Sequence, residues 1–187
     1  MHRQLSEAAR LSAEAPRVII LCGVSGSGKT TLARKLAAQG RVIISLDHII
    51  WERYGTRYAS LPPDEQHEIF LSLGVELDRR VCEAVARGER VVVDAAMCKR
   101  RGRDRLRATC LAAGADVSLL WLTASPATLA ARLAGRKGQS PDDAIVEPDR
   151  LRGFLAGFER PGEDEDAVTI CTDDAGKAAD CGPQTDA

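Results

Sequence analysis

The sequence contains no asparagine. That absence excludes N-glycosylation and removes the N-K-x-D motif with which GTPases read guanine. The single D-x-x-G run, Asp173-Asp174-Ala175-Gly176, falls in the polar carboxyl-terminal stretch. Aromatic residues are scarce at 4%, so Val, Ile, Leu and Ala must fill any core. Neither sign of charge dominates: 26 Lys and Arg face 27 Asp and Glu, and the net charge is −1. Nothing global draws such a chain to nucleic acid or a membrane surface. No apolar run approaches the ~20 residues of a membrane helix. The opening MHRQLSEAARLSAEAP lacks the apolar stretch of a signal peptide. The six cysteines form no CxxC pair and do not cluster with the three histidines. They read as small buried hydrophobes, with a disulfide or zinc site as the alternative. The cytoplasm is the expected location.

What is present is a regular alternation. Apolar strand-like runs cover 17–23, 42–47, 90–95, 116–123 and 166–171. Helical patterns cover about 29–39, 64–87, 101–113, 126–136 and 149–159. In the longest helix Phe70, Leu73, Leu77, Val81 and Val85 recur at helical spacing, and Gly74 is a candidate weak point. Ser125-Pro126 is an N-cap followed by proline at the first helical position. Residues 48–61 read as irregular, and 135–148 as a Gly/Pro-punctuated loop. Strands alternating with helices mean an α/β fold, with a five-stranded parallel sheet covered on both faces. One domain over 16–171 is expected, with a flexible lead-in at 1–15 and a disordered tail at 172–187.

The most specific signal is GVSGSGKTT, residues 23–31, which satisfies G-x-x-x-x-G-K-[ST]. A strand delivers the chain to a glycine-rich loop whose backbone N–H groups turn inward around phosphate, and the next helix aims its positive end at the same anion. The nucleotide-binding set is therefore Gly23, Val24, Ser25, Gly26, Ser27, Gly28, Lys29, Thr30 and Thr31. Lys29 reaches the β/γ oxygens and the Thr30 hydroxyl can ligate Mg²⁺. In VVVD, 91–94, Asp94 stands at a strand end, where a P-loop protein holds the same Mg²⁺ through water. The cofactors expected are ATP and Mg²⁺. LSLGV (71–75) before VVVD has a faint likeness to the signature of ABC-type ATPases. However, Ala95 stands where that class has a glutamate, and the chain is too short for its helical subdomain.

Asp47 follows the apolar run VIISL. Ligands of α/β sheets sit at the carboxyl ends of strands, so Asp47 should open onto the γ-phosphate. There it can orient an acceptor hydroxyl and take its proton. The plainer reading is a cap for the following turn.

With these residues in place the chain resembles the small P-loop kinases, an AAA-domain group of ATP-binding proteins. Its relatives include the kinase domain of polynucleotide kinase, zeta-toxin kinases and some antibiotic phosphotransferases. The carriers are GVSGSGKTTLARKL, the acid in SLDHI, VVVDA before a basic helix, LTASPATLAARLAGR, and FERPGEDE. The resemblance implies a three-layer P-loop NTPase fold with a mobile lid, and transfer of the γ-phosphate of ATP to a hydroxyl. It makes Asp47 the catalytic base, beside Lys29, and matches Arg132 and Arg136 to the arginines that clamp phosphates. A spacing of four puts both arginines on one helical face, and cations that arrive on closure stabilise transferring charge. Two positions depart from the pattern. Ala96 and Met97 replace a threonine and an asparagine after the third-strand acid, and Ile50 replaces an arginine after the second-strand acid. Both departures lie on the acceptor side.

For the acceptor, HIIWERYGTRYAS (48–60) offers Trp51, Tyr54, Tyr58, Arg53 and Arg57 for stacking and anion binding, or else simply caps the core. The basic run KRRGRDRLR (99–107) would put Arg100, Arg103 and Arg107 on one face, suited to a 5′-hydroxyl nucleic acid or merely to solvent. PGEDEDA (161–167) reads as a solvated turn. The reading that results is a kinase acting on a small hydroxylated acceptor. The alternatives are a 5′-hydroxyl polynucleotide kinase and a non-catalytic ATP-sensing module.

Overall fold

Each apolar run expected to be a strand is one, in a parallel five-stranded sheet of order β2-β3-β1-β4-β5. The structure is a computed structural model, and it describes residues 16–143 and 145–173. Residues 1–15 and 174–187, expected as lead-in and tail, lie outside the described residues. The strands are β1 (Val18–Cys22), β2 (Val42–Ser45), β3 (Val91–Asp94), β4 (Val117–Thr123) and β5 (Val168–Cys171). The helices are α1 (Lys29–Ala37), α2 (Leu46–Tyr54), α3 (Pro63–Ala86), α4 (Arg100–Ala112), α5 (Pro126–Ala134) and α6 (Pro148–Ala156).

Alternation along the strands builds three layers. Val18, Ile20, Val91 and Val93 face α3 and α4, packing on Leu73, Leu77, Val81 and Leu106. Ile19, Leu21, Val92 and Leu122 face the other way, onto Ala33 and Leu36 of α1. β1 is fully buried between β3 and β4. It therefore delivers the glycine-rich loop to the middle of the sheet's carboxyl edge. A third cluster joins Val24 of that loop to Leu129 and Leu133 of α5 and Leu151 of α6.

The structure corrects several expectations. β2 stops at Ser45, and Leu46–Tyr54 is a helix rather than an irregular stretch. Ser45 is its N-cap, accepting from the His48 N–H at 3.4 Å, so the strand ends because a cap begins. Gly74 does not weaken α3, which runs unbroken for 24 residues. A Cβ there would lie 3.1 Å from the Arg105 guanidinium, so the glycine lets Arg105 reach Asp78 at 2.7 Å. Cys22, Cys82, Cys98 and Cys110 are free, whereas Cys171 is disulfide-bonded, contrary to its reading as a plain strand hydrophobe.

The basic run and the acidic turn are each other's partners. Arg103 is only 2% exposed, and its guanidinium grips Glu165 (3% exposed) through Nε and Nη2 at 2.6 and 2.8 Å. Arg100 pairs with Asp164, and Arg107 donates to the Glu165 carbonyl. PGEDEDA is thus a partly buried clamp, and the three arginines do not form an open basic face. Removing one partner of a buried pair leaves the other uncompensated. Glu165→Ala should cost ~3–5 kcal/mol, read as a lower denaturation midpoint at unchanged m-value. A change under about 1 kcal/mol would mean the pair adds little.

Candidate active site

The glycine-rich loop turns as its residue types demand. Gly23 has φ 147°, and a Cβ there would meet the Leu122 carbonyl at 2.5 Å. Gly28, at φ 95°, is the N-cap of α1, so a left-handed residue without a Cβ opens the helix. Between them the Lys29 ammonium donates to the carbonyls of Gly23 and Val24 at 2.8 and 3.0 Å. Burial lowers its pKa, and Asp94 and Asp47 act to raise it. All nine residues from Gly23 to Thr31 lie in this turn and the first turn of α1.

Asp94, 5% exposed, closes β3 beside the loop and is hydrogen-bonded by the Thr30 side chain. Burial holds its pKa above the usual carboxylate range, against the pull of Thr30 and Lys29. Thr30 and Asp94 supply hard oxygen donors at a helix N-terminus. Mg²⁺ characteristically takes one or two protein oxygens and completes its shell with water and phosphate, so these residues fit the ion. Asp94→Asn should therefore raise the Mg²⁺ concentration needed for half-maximal turnover by about tenfold or more. A Mg²⁺ titration of the variant checks this, and an unchanged midpoint would remove Asp94 from the metal site.

Asp47 sits in the first turn of α2 and not at a strand end. Asp47 is an exposed residue with protein packed closely around it. That surround raises its pKa, and Asp94 and Asp142 push the same way. Lys29 and Arg136 oppose them. The charges of Lys29, Asp94, Asp142 and Arg136 therefore all bear on Asp47.

The two arginines do not share a helical face. α5 ends at Ala134 with Gly135 as its cap, so Arg136 lies beyond the helix, where its charge acts on Asp47. Arg132 turns the other way. Its guanidinium donates to the Gly26 carbonyl at 3.0 Å, and to the Thr172 hydroxyl and carbonyl at 2.9 and 2.6 Å. Thr172 and Asp173, assigned to the tail from sequence, make defined contacts. The Thr172 hydroxyl donates to the Ser27 carbonyl at 3.0 Å, and Asp173 accepts from the Ser125 N–H at 2.9 Å.

Sequence reasoning missed Asp142. The loop between α5 and α6 carries a 3-10 turn, Pro141–Asp143, and its Asp142 carboxylate reaches back to Arg34 at 2.6 Å and His48 at 3.2 Å. These contacts bring the loop against α1 and α2. A cavity of about 240 Å³ lies there, lined by Thr30, Asp94, Ser45, His48, Arg34 and Asp142 among others. Also missed was Arg150 of α6, whose guanidinium donates to the Gln66 side chain of α3 at 3.0 Å. The Tyr58 hydroxyl bonds the Gln66 carbonyl at 3.0 Å. Neither Asp142 nor Arg150 stands in a motif. Only the folded chain brings Asp142 to the cavity and Arg150 to Gln66.

The family described as the AAA domain matches residues 18–161. The chain belongs to that family. Among its structural relatives is a gluconokinase from Sinorhizobium meliloti 1021, 25% identical, with a TM-score of 0.59 over 88% of each chain. A sugar kinase from Janibacter sp. HTCC2649 is 26% identical, with a TM-score of 0.61 over 83% of this chain and 84% of its own. Kti12 from Chaetomium thermophilum, solved with ADP-AlF3, shares the fold at 17% identity and a TM-score of 0.63, over 88% of this chain and 94% of its own. Functionally curated proteins include no match. This AAA-domain chain has the fold of the small P-loop kinases, with an ATP-type phosphate loop. Among its described residues, no helix is long and apolar enough to cross a membrane.

Proposed function

We propose that the protein transfers the γ-phosphate of ATP to a hydroxyl of a small-molecule acceptor. The observation that carries this reading is the phosphate loop: Gly28 opens α1 in a left-handed turn, the Lys29 ammonium lies over the loop, and Thr30 bonds Asp94 at the end of β3, with Asp47 near enough for these charges to act on it. In that reading the backbone N–H groups of residues 23–30 and the Lys29 ammonium bind the phosphates. Thr30 and Asp94 would hold Mg²⁺, which would supply positive charge to the phosphates. Asp47 orients the acceptor hydroxyl and receives its proton as the new P–O bond forms. Arg136 faces the transferring group, and the loop of residues 135–147 acts as a lid whose closure excludes water. Arg132 fits a supporting role, because its donors hold Gly26 and Thr172. Cytoplasmic ATP would be the donor.

The two bacterial relatives named as gluconokinase and sugar kinase support a small hydroxylated acceptor. Pairing of Arg100, Arg103 and Arg107 with the acidic clamp weakens the case for a polynucleotide. An ATP-sensing module would need no acceptor site, and it leaves Asp47 without a task. Incubation with Mg²⁺·ATP and separate pools of sugars, nucleosides, hydroxylated antibiotics and 5′-hydroxyl oligonucleotides distinguishes the readings. The small-molecule pools should yield phosphorylated product, whereas product in the oligonucleotide pool alone would favour the polynucleotide kinase.

A further inference from the structure

The loop from Ala95 to Lys99 leaves β3 directly after Asp94 and runs beside the phosphate loop, since the Gly23 N–H donates to its Ala96 carbonyl at 3.0 Å. Within it Met97 adopts φ 47°, a left-handed conformation that an unbranched but bulky residue enters only at a cost. Something outside the loop must hold it. The Met97 carbonyl accepts from Arg103 Nη1 at 3.0 Å and from the Cys22 thiol at 3.4 Å. Burial pushes that thiol up to about 12, so it remains a donor at neutral pH.

Arg103 does more than hold Met97. The same Nη1 donates to the Glu159 carbonyl at 2.8 Å, and the Glu159 N–H donates to the Cys98 carbonyl at 2.8 Å. The Glu159 carboxylate receives Lys99 Nζ and the Arg100 N–H at 3.1 and 2.8 Å. Glu159 lies just past the end of α6, on the return from the α5–α6 loop. One buried guanidinium, oriented by its bidentate grip on Glu165, therefore ties the loop after β3 to the chain just past α6. Stability alone does not ask for this arrangement, because well-packed apolar residues commonly replace a buried ion pair without loss. What an apolar residue cannot do is direct N–H groups at carbonyls of two separate segments.

We infer that Arg103 is a positioning residue for phosphotransfer: it sets the conformation of the acceptor-side loop 95–99 and its register against the lid's return, so that the bound acceptor meets Asp47. The inference rests on the function proposed above. Arg103→Lys retains the charge beside Glu165 but cannot reach the carboxylate and both carbonyls together. The acceptor KM should rise about 10- to 100-fold, as for other misplacements remote from the chemistry, with the ATP KM within about twofold of wild type. Arg105→Lys, on the same helix but paired with Asp78, should leave both constants unchanged. Glu165→Gln keeps one acceptor oxygen for the guanidinium and should shift the acceptor KM in the same direction by less, which covers the case of an Arg103→Lys protein that does not fold.

Hydrogen exchange gives a readout that needs no turnover. In either variant the amides of residues 97–99 and 159 should exchange faster, while those of 23–30 keep their protection. A lower melting temperature with unchanged acceptor KM and unchanged exchange at 97–99 would overturn the inference and leave a purely structural role. Should the wild-type protein phosphorylate nothing, the proposed function fails, and the exchange result still decides whether Arg103 holds the loop.

Discussion

Asp47→Asn should lower kcat by about 10²–10⁴-fold, the usual contribution of a positioned general base, while ATP binding persists. The amide fills the same space and can still accept a hydrogen bond, but it cannot take the hydroxyl proton. The pH dependence follows from the direction of the Asp47 shift. Its surroundings, and then Asp94 and Asp142, raise its pKa above the ordinary carboxylate value, against Lys29 and Arg136. The base works only when ionised, so kcat/KM should fall with decreasing pH on a limb above ~4, the ordinary range for aspartate. The same sign governs stability. A carboxyl whose folded pKa is raised contributes stability below its unfolded value and loses it as pH rises through the folded value. At neutral pH the ionised Asp47 therefore adds nothing to the unliganded fold, and its exposure to solvent keeps any cost small. Asp47→Asn should melt at or above the wild-type temperature while losing turnover. A variant that loses turnover and melts well below wild type would point to a structural aspartate.

Lys29→Met should have an effect of comparable size, through charge and not proton transfer. The ammonium already lies over the loop, donating to Gly23 and Val24, so it needs little reorganisation to meet a β/γ-phosphate. Preorganised charge of this kind in a water-poor site accounts for about 10²–10³-fold in rate per group removed. Nucleotide affinity should fall too. Saturating ATP stabilises a protein according to ligand concentration over Kd, so the rise in melting temperature with Mg²⁺·ATP should shrink sharply in the variant. Full ATP-induced stabilisation with lost turnover would confine Lys29 to the transition state. Unchanged turnover would remove it from the mechanism.

How far the sequence could be read depended on whether a feature was local. The strands, the glycine-rich turn and the helix behind it are set by residues within about a dozen positions of one another. Patterning and turn chemistry therefore expose them. Asp94 and Asp47 stand out for the same reason, as acids that follow apolar runs, although only Asp94 ends its strand. The helix 46–54 was hidden because Ser45 caps it inside a continuous apolar stretch, and periodicity cannot mark a strand that passes directly into a helix. Arg132 and Arg136 were placed together because a spacing of four assumes a helix through both, and Gly135 ends it.

The pairing of 99–107 with 161–167 could not be seen at all. Arg103 and Glu165 are 62 residues apart, and each run alone looks like a solvated surface. Asp142 meets His48 across 94 residues, by a contact that no motif encodes. The phosphate-binding half of the site is thus written in neighbouring residues. The contacts of Asp142 and Arg103 are tertiary, which is why the phosphate loop is legible in the sequence and they are not.

The central claim is phosphate transfer to a hydroxyl, and the measurement that tests it most directly is mass-spectrometric detection of product from Mg²⁺·ATP and the acceptor pools, with Asp47→Asn and Lys29→Met proteins alongside. The account predicts a phosphorylated small molecule with the wild-type protein, at levels at least about a hundredfold lower in both variants. Tight ATP binding with no product in any pool would contradict it.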